Sequence, residues 1–234
     1  MSKKKLLSLA LVVIMIAILS FSTLAWFSDS DSAKNEFLIA GSDDADPDEI
    51  FSVDVWEDKN GDGQPDDDIT GDEEGLTYEN ILPGDLLKKD AFVENTGAYD
   101  QYIRVTITIS DAEAWINALG SNYNAAELFV GFNPDLWAHV WNNLSELNPG
   151  DPIPENLQYV MYLKTVLDSG KKVNIFDAVQ IPTSLTQEQA ALFEGGFTVD
   201  IKADAVQTRN VGVDATTPAE DAAWTAFKYV ESHP

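Results

Sequence analysis

QYIRVTITIS, running from Gln101 to Ser110, is the stretch that decides the fold. Ile103, Val105, Ile107 and Ile109 alternate with Arg104, Thr106 and Thr108. Successive strand residues point to opposite faces, so this period of two predicts a strand with one apolar face. Working outward, Leu86 to Glu94 precedes it across Asn95-Thr96-Gly97-Ala98, which reads as a hairpin-like pair. Leu82-Pro83-Gly84-Asp85 is a turn signal before that. Ile50 to Trp56 also alternates, with Phe51, Val53 and Val55 on one side.

Downstream, Asp111 to Leu147 changes character and predicts a helical insertion. Ala112–Leu119, Asn124–Phe129 and Pro134–Leu144 are its helical stretches, with Asp111 as an N-cap. Trp137, Val140, Trp141 and Leu144 have the spacing of one helix face. The proline-rich loop Asn148 to Pro154 closes the insertion. Leu157–Leu167 and Lys171–Gln180 then flank a tight turn at Asp168-Ser169-Gly170. Thr186 to Phe193 predicts a short helix. Phe197 to Gln207 alternates once more, with Ile201, Ala203 and Ala205 inward and Lys202 and Asp204 outward. Pro218 to Val230 predicts a closing helix. Short alternating strands separated by turns indicate a mainly β protein, an antiparallel β-sandwich carrying a helical insertion and a short C-terminal helix.

The N-terminus reads as an export signal. Lys3, Lys4 and Lys5 precede an apolar run from Leu6 to Phe21, and Thr23-Leu24-Ala25 follows with small residues where a signal peptidase inspects them. Residues 1–25 form the expected leader, with cleavage between Ala25 and Trp26. A retained anchor is the alternative, because the run approaches the ~20 residues that span a bilayer. The chain has no cysteine, so core packing alone must hold it together. Cleavage leaves 209 of the 234 residues, enough for one domain with a substantial core.

Charge excludes one class of partner. The chain carries 14 basic and 40 acidic residues, a net −26, and the leader removes three lysines and no acids, leaving −29. Such a chain repels phosphate backbones, so nucleic acid is not expected as a partner. A membrane is expected only through an uncleaved leader. Asp58-Lys59-Asn60-Gly61-Asp62-Gly63-Gln64-Pro65-Asp66 concentrates the sharpest local motif, within an acidic segment 58–68. Oxygen ligands at alternate positions and a glycine at the sixth match the start of an EF-hand-like loop. Asp58, Asn60, Asp62, Asp66 and the Gln64 carbonyl would hold calcium. Position twelve is Ile69, so the usual bidentate acid is missing. The other reading of the loop is a flexible acidic turn.

Several of these segments, in order, resemble one family. They are Trp26-Phe27-Ser28-Asp29, Asn35-Glu36-Phe37 and Ala40-Gly41, then Leu82-Pro83-Gly84-Asp85, Val93-Glu94-Asn95-Thr96-Gly97 and Tyr102-Ile103-Arg104-Val105. Ile201 to Gln207 and Ala223-Trp224-Thr225-Ala226-Phe227 complete the set. Together they resemble the TasA/camelysin family of exported Gram-positive biofilm-matrix proteins. The resemblance implies a jelly-roll-like sandwich over 42–234 and processing by a SipW-type signal peptidase. It also implies a homopolymeric extracellular fibre in which residues 26–41 add as a strand to the next subunit. Trp26, Phe27, Phe37 and Ile39 would then fill pockets on that neighbour. The acidic block and the long insertion depart from the family's pattern.

Two other functions are open. One is a monomeric or membrane-anchored calcium-binding surface protein. The other is a camelysin-like secreted metallopeptidase, which the composition disfavours. The histidines are His139 and His233 alone, without a His-Glu-x-x-His run, and no Gly-x-Ser-x-Gly elbow is present. No catalytic or cofactor-binding residue is singled out, and a non-enzyme is expected.

Overall fold

The computed structural model of the chain describes residues 28–32, 52–58, 81–120, 124–147, 150–193 and 196–233. The strands are β1 (Ser28–Ser32), β2 (Val53–Asp58), β3 (Leu86–Asn95), β4 (Gln101–Ile109), β5 (Phe129–Val130), β6 (Trp137–Asn142), β7 (Leu157–Leu163), β8 (Lys172–Gln180) and β9 (Val199–Gln207). The helices are α1 (Ala112–Leu119), α2 (Gln187–Ala190) and α3 (Ala222–Ser232). One sheet has the order β1-β9-β4-β7-β6 and the other β2-β3-β8-β5. Every pairing is antiparallel. The molecule is a jelly-roll-like antiparallel β-sandwich with a small C-terminal helix.

β4 sits at the centre of the larger sheet because its alternation is complete. Ile103, Val105, Ile107 and Ile109 are fully buried between the sheets. They meet Val53, Val55, Ala91 and Val93 of the facing sheet in the main core. Burying an aliphatic side chain of this size contributes about 1.5–3 kcal/mol, so this face sets the register. A slip by one residue would put Arg104 and Thr106 into the core.

The hairpin expected at Asn95–Ala98 is not one. β3 and β4 lie in different sheets, and the link between them arches across the end of the sandwich. Asn95, rather than a two-residue turn, organises it. Its fully buried amide donates to the Tyr99 carbonyl at 2.9 Å and the Leu167 carbonyl at 2.8 Å, and its Oδ1 accepts from the Gly97 N–H at 3.0 Å. The turn at Asp168–Gly170 is a second such arch, from β7 to β8. The two are laced together. Gln101 and Leu167 exchange backbone hydrogen bonds, Gly170 N–H donates to the Asn95 carbonyl, and the Ser169 hydroxyl donates to the Gly97 carbonyl.

Among its described residues the insertion is α-helical only in its first third. α1 is capped by Asp111, whose side chain accepts from the Ala114 N–H at 3.2 Å. Asn124–Phe129 becomes a 3-10 turn over Ala125–Leu128 that runs into β5. Pro134–Leu144 contains no α-helix. Trp137 to Asn142 is instead an edge strand on β7, with an extra residue bulged between Ala138 and Trp141. His139 takes φ +49 in that bulge. One additional residue turns a period of two into an apparent helical spacing. It also sends the two indoles to opposite faces: Trp137 is 2% exposed in the core, while Trp141 joins Val160 and Tyr162 outside.

The outer face of the larger sheet is covered by α3. Ala222, Ala223, Ala226 and Phe227 pack on Tyr102, Tyr162 and Val206 in a second core. Asp204, expected outward to solvent, is therefore buried beneath this helix. At the other end, the expected helix at Thr186 forms with a complete capping box between Thr186 and Gln189.

Candidate functional site

The N-terminal segment contributes the first candidate. β1 runs antiparallel to β9, from Ser28 opposite Val206 to Ser32 opposite Lys202. Its partner in the sheet is thus supplied from the far end of the chain. β1 is Ser-Asp-Ser-Asp-Ser, residue types disfavoured in strands. Main-chain hydrogen bonding, available to any sequence, is what such a strand can offer. Among the described residues it terminates the sheet, a position where a strand exposes one unpaired side. Trp26, Phe27, Phe37 and Ile39, the expected pocket-filling side chains, lie outside the described residues, as does the Ala25–Trp26 cleavage point.

Behind β9, α3 is clamped onto the sheet by charge. Arg104 on β4 donates from Nε and Nη2 to Asp204 Oδ2 at 3.1 and 2.8 Å, and from Nη1 to Glu231 Oε1 at 2.5 Å. Its guanidinium carbon stands 4.6 Å from the Phe227 ring centroid. Burial works against the arginine's charge, and the Asp204 bonds outweigh it, so its pKa is raised. For Glu231, burial works against ionisation. The bonds from Lys228 and Arg104 outweigh it and lower the pKa. Lys202 adds a 3.0 Å contact to Asp204 Oδ1.

Beside this clamp lies a groove of about 600 Å³, walled by Trp141, Tyr162, Trp224 and His139. His139 stacks on Trp224 with centroids 5.0 Å apart, and its Nε2 meets Asp221 at 2.7 Å. The other histidine stacks on Tyr229 at 4.3 Å within the C-terminal turn. Both imidazoles thus pack against rings rather than joining other histidines or a group of carboxylates.

Of the five expected calcium ligands, Asp58 alone is described, and Asn60, Asp62, Gln64 and Asp66 lie outside the described residues. Asp58 is the last residue of β2, opposite Asp90 and 1% exposed. Lys88 compensates the charge here. Its Nζ donates to both oxygens of Asp90 at 2.6 and 2.7 Å, a bond that raises its pKa, with Asp177 and Asp58 adding to the effect. Next to it, the buried Glu57 and Lys89 form an ion pair through Glu57 Oε1. Glu57 Oε2 has no hydrogen-bond partner. Among the described residues no group of three or more His, Cys, Asp or Glu is placed to hold a metal ion.

A site the sequence did not announce sits at the pole opposite the arches. Trp115 of α1, Phe193 and Phe197 enclose an apolar pocket with Ile81, Ile181 and Leu185. Trp115 lies on an apolar stripe of its helix, Ala112, Trp115, Ile116 and Leu119 at i, i+3, i+4 and i+7, which marks a buried face and not a pocket.

Comparison with protein-family models, with curated proteins and with solved structures gives no match to any of them. The resemblance to the TasA/camelysin family rests on the quoted residues and their order.

Proposed function

We propose that the protein is a structural subunit of a secreted, extracellular fibre, of the biofilm-matrix type that the TasA/camelysin resemblance implies. Assembly is head to tail through the segment that begins at Trp26 after a SipW-type peptidase removes residues 1–25. The observation that supports this reading is the place of β1. It is the terminal strand of its sheet, it follows the expected cut by two residues, and 20 residues separate it from β2. A 20-residue connection reaches at most ~66–72 Å when extended. That is long enough for β1 to leave its own β9 and pair with the β9 of a neighbour. The same main-chain hydrogen bonds form either way, so exchange loses little in the strand itself. Each exchanged subunit leaves its own edge to be filled by the next, and such a contact propagates without closing.

A second reading, a monomeric or anchored calcium-binding surface protein, rests on the Asp58–Asp66 motif of the sequence. In either case the role is binding and structural rather than catalytic. The two readings separate on one experiment. A chain beginning at Trp26 should give filaments by negative-stain microscopy. A chain beginning at Ser42, and the Ser30→Pro variant, which removes one strand N–H, should stay monomeric and folded. Filaments from the chain lacking residues 26–41, or none from the chain that keeps them, would overturn the fibre reading.

A further inference from the structure

The register of β1 on β9 points toward the pocket at the pole. Ser28 stands opposite Val206 and Ser32 opposite Lys202. Antiparallel register advances one residue for one, so the residues after Ser32 meet Ile201, Asp200 and Val199 in turn. Lys34 then falls opposite Asp200, a cross-strand pair of opposite charge. Three residues on, Phe37 falls opposite Phe197. β9 keeps its line almost that far, because the Ser110 N–H still donates to the Thr198 carbonyl at 3.1 Å.

The same count fixes direction. Ile201, Ala203 and Ala205 face the core. Residues directly opposite one another share a face, and every second residue returns to it. Phe37, opposite Phe197, therefore points inward, and so does Ile39. Inward at this level is the pole pocket. Its volume is about 250 Å³, and its walls include Phe197, Trp115, Ile181 and Leu185, with no charged residue. An apolar cavity of about 150 Å³ holds a benzene ring, so this one has room for a ring and an aliphatic neighbour. Leu82, on its rim, is 64% exposed and leaves apolar surface at the mouth. Of residues 33–49, the run Phe37-Leu38-Ile39 alone is strongly apolar, and the rest are charged, polar, small or proline.

We propose that Phe37 and Ile39 dock in this pocket, continuing β1 along β9 to the pole. Phe37 packs at the mouth beside Phe197, and Ile39 follows on the same face. The pocket thereby anchors a strand whose Ser-Asp repeat has almost no apolar surface of its own. The docking needs only the β1–β9 register already described. Where a neighbouring subunit supplies β1, its Phe37 and Ile39 enter by the same register, and that extension alone rests on the fibre reading.

The chain has no cysteine, so an engineered pair supplies its only thiols. In the chain beginning at Trp26, Asn35→Cys with Val199→Cys probes the extended register. Asp31→Cys with Ala203→Cys probes the observed one. The pairs are an even number of residues apart, so they share one hydrogen-bonding phase. Both should close to disulfides in glutathione buffer. Adding Phe37→Ser should make closure of the first pair about tenfold less favourable, the loss expected when a buried phenyl ring is removed. Leu185→Asp, which puts a charge on the pocket wall, should act the same way. A first pair that stays open where the second closes, or that closes equally well with Phe37→Ser, would overturn the proposal. Phe37→Ser alters no residue of the described core, so its effect is not one of folding. Non-reducing electrophoresis separates this outcome from the fate of the fibre. Disulfides between chains should accompany filaments. Disulfides within chains alone, in a sample without filaments, would sink the fibre reading and leave the pocket's occupant in place.

Discussion

Replacing Lys89 by Met should destabilise the protein more than almost any other single polar substitution. Lys89 and Glu57 project from β3 and β2 to the same side, because Glu57 is opposite Ala91 and Lys89 lies two residues along. Their side chains are 8% and 2% exposed. Methionine fills much of the lysine's volume but leaves Glu57 ionised, buried and unpaired, with neither oxygen satisfied. Breaking a buried pair from one side costs about 3–5 kcal/mol. At ~2–4 °C per kcal/mol for a chain of this size, the melting temperature should fall by about 6–20 °C. The double variant Glu57→Leu/Lys89→Met removes both charges and should return to within about 1 kcal/mol of the parent, or exceed it. Urea unfolding followed by tryptophan fluorescence measures all four corners of this cycle. A cost below about 1 kcal/mol for Lys89→Met, or simple additivity in the double variant, would mean that the pair is not desolvated as the geometry indicates.

The clamp on α3 should be sensitive to acid. Glu231 has a lowered pKa in the folded chain, so its stabilising effect is complete above the ordinary carboxylate value of about 4.3 and is lost as pH falls through its depressed one. Glu231→Gln should lose this component of the acid transition, and superimposable pH–stability curves for the two proteins would contradict it. Asn95→Ala should destabilise by about 2–4 kcal/mol, because the Tyr99 and Leu167 carbonyls and the Gly97 N–H lose their common partner; denaturant titration measures it, and a loss under 1 kcal/mol would show that the arches hold without it. Millimolar calcium should raise the melting temperature of the chain, and Asp58→Ala combined with Asp62→Ala should remove the rise. Identical melting with and without calcium in the unaltered protein rules out the loop as a calcium site.

What the sequence made legible was local. β4 and β9 were readable because their alternation is written in adjacent residues. Asp111 was readable as a helix cap because a cap lies within three residues of the N–H it receives. Sheet membership was not readable. Asn95-Thr96-Gly97 looks like a turn whether the chain doubles back or crosses over, and the choice is made by Leu167, 72 residues away in sequence. Trp137 and Trp141 misled for another reason. A one-residue bulge at His139 imitates a helical period, and nothing in the apolar pattern separates the two. Asp204 looked solvent-facing because its strand alternates, and only α3 brings Arg104 and Glu231 into relation with it. The buried neighbours of Asp58, Glu57 and Lys89, were not legible, because their pair forms between two strands distant in sequence.

The laced arches have a consequence for when the protein becomes a folded object. The central strand β4 is completed by β7 and β9, and β3 by β2 and β8. Each sheet therefore waits for late segments of the chain, and β9 is the last strand of all. Contacts between residues so distant in sequence form slowly, because the entropy of closing the intervening chain must be overcome before they contribute. A polypeptide emerging N-terminus first thus completes the smaller sheet only with β8 and the larger one only with β9. Such a chain stays threadable for as long as it is incomplete. The edge that β1 occupies comes into existence at the end of folding, so each subunit would become able to receive a strand only once it was whole.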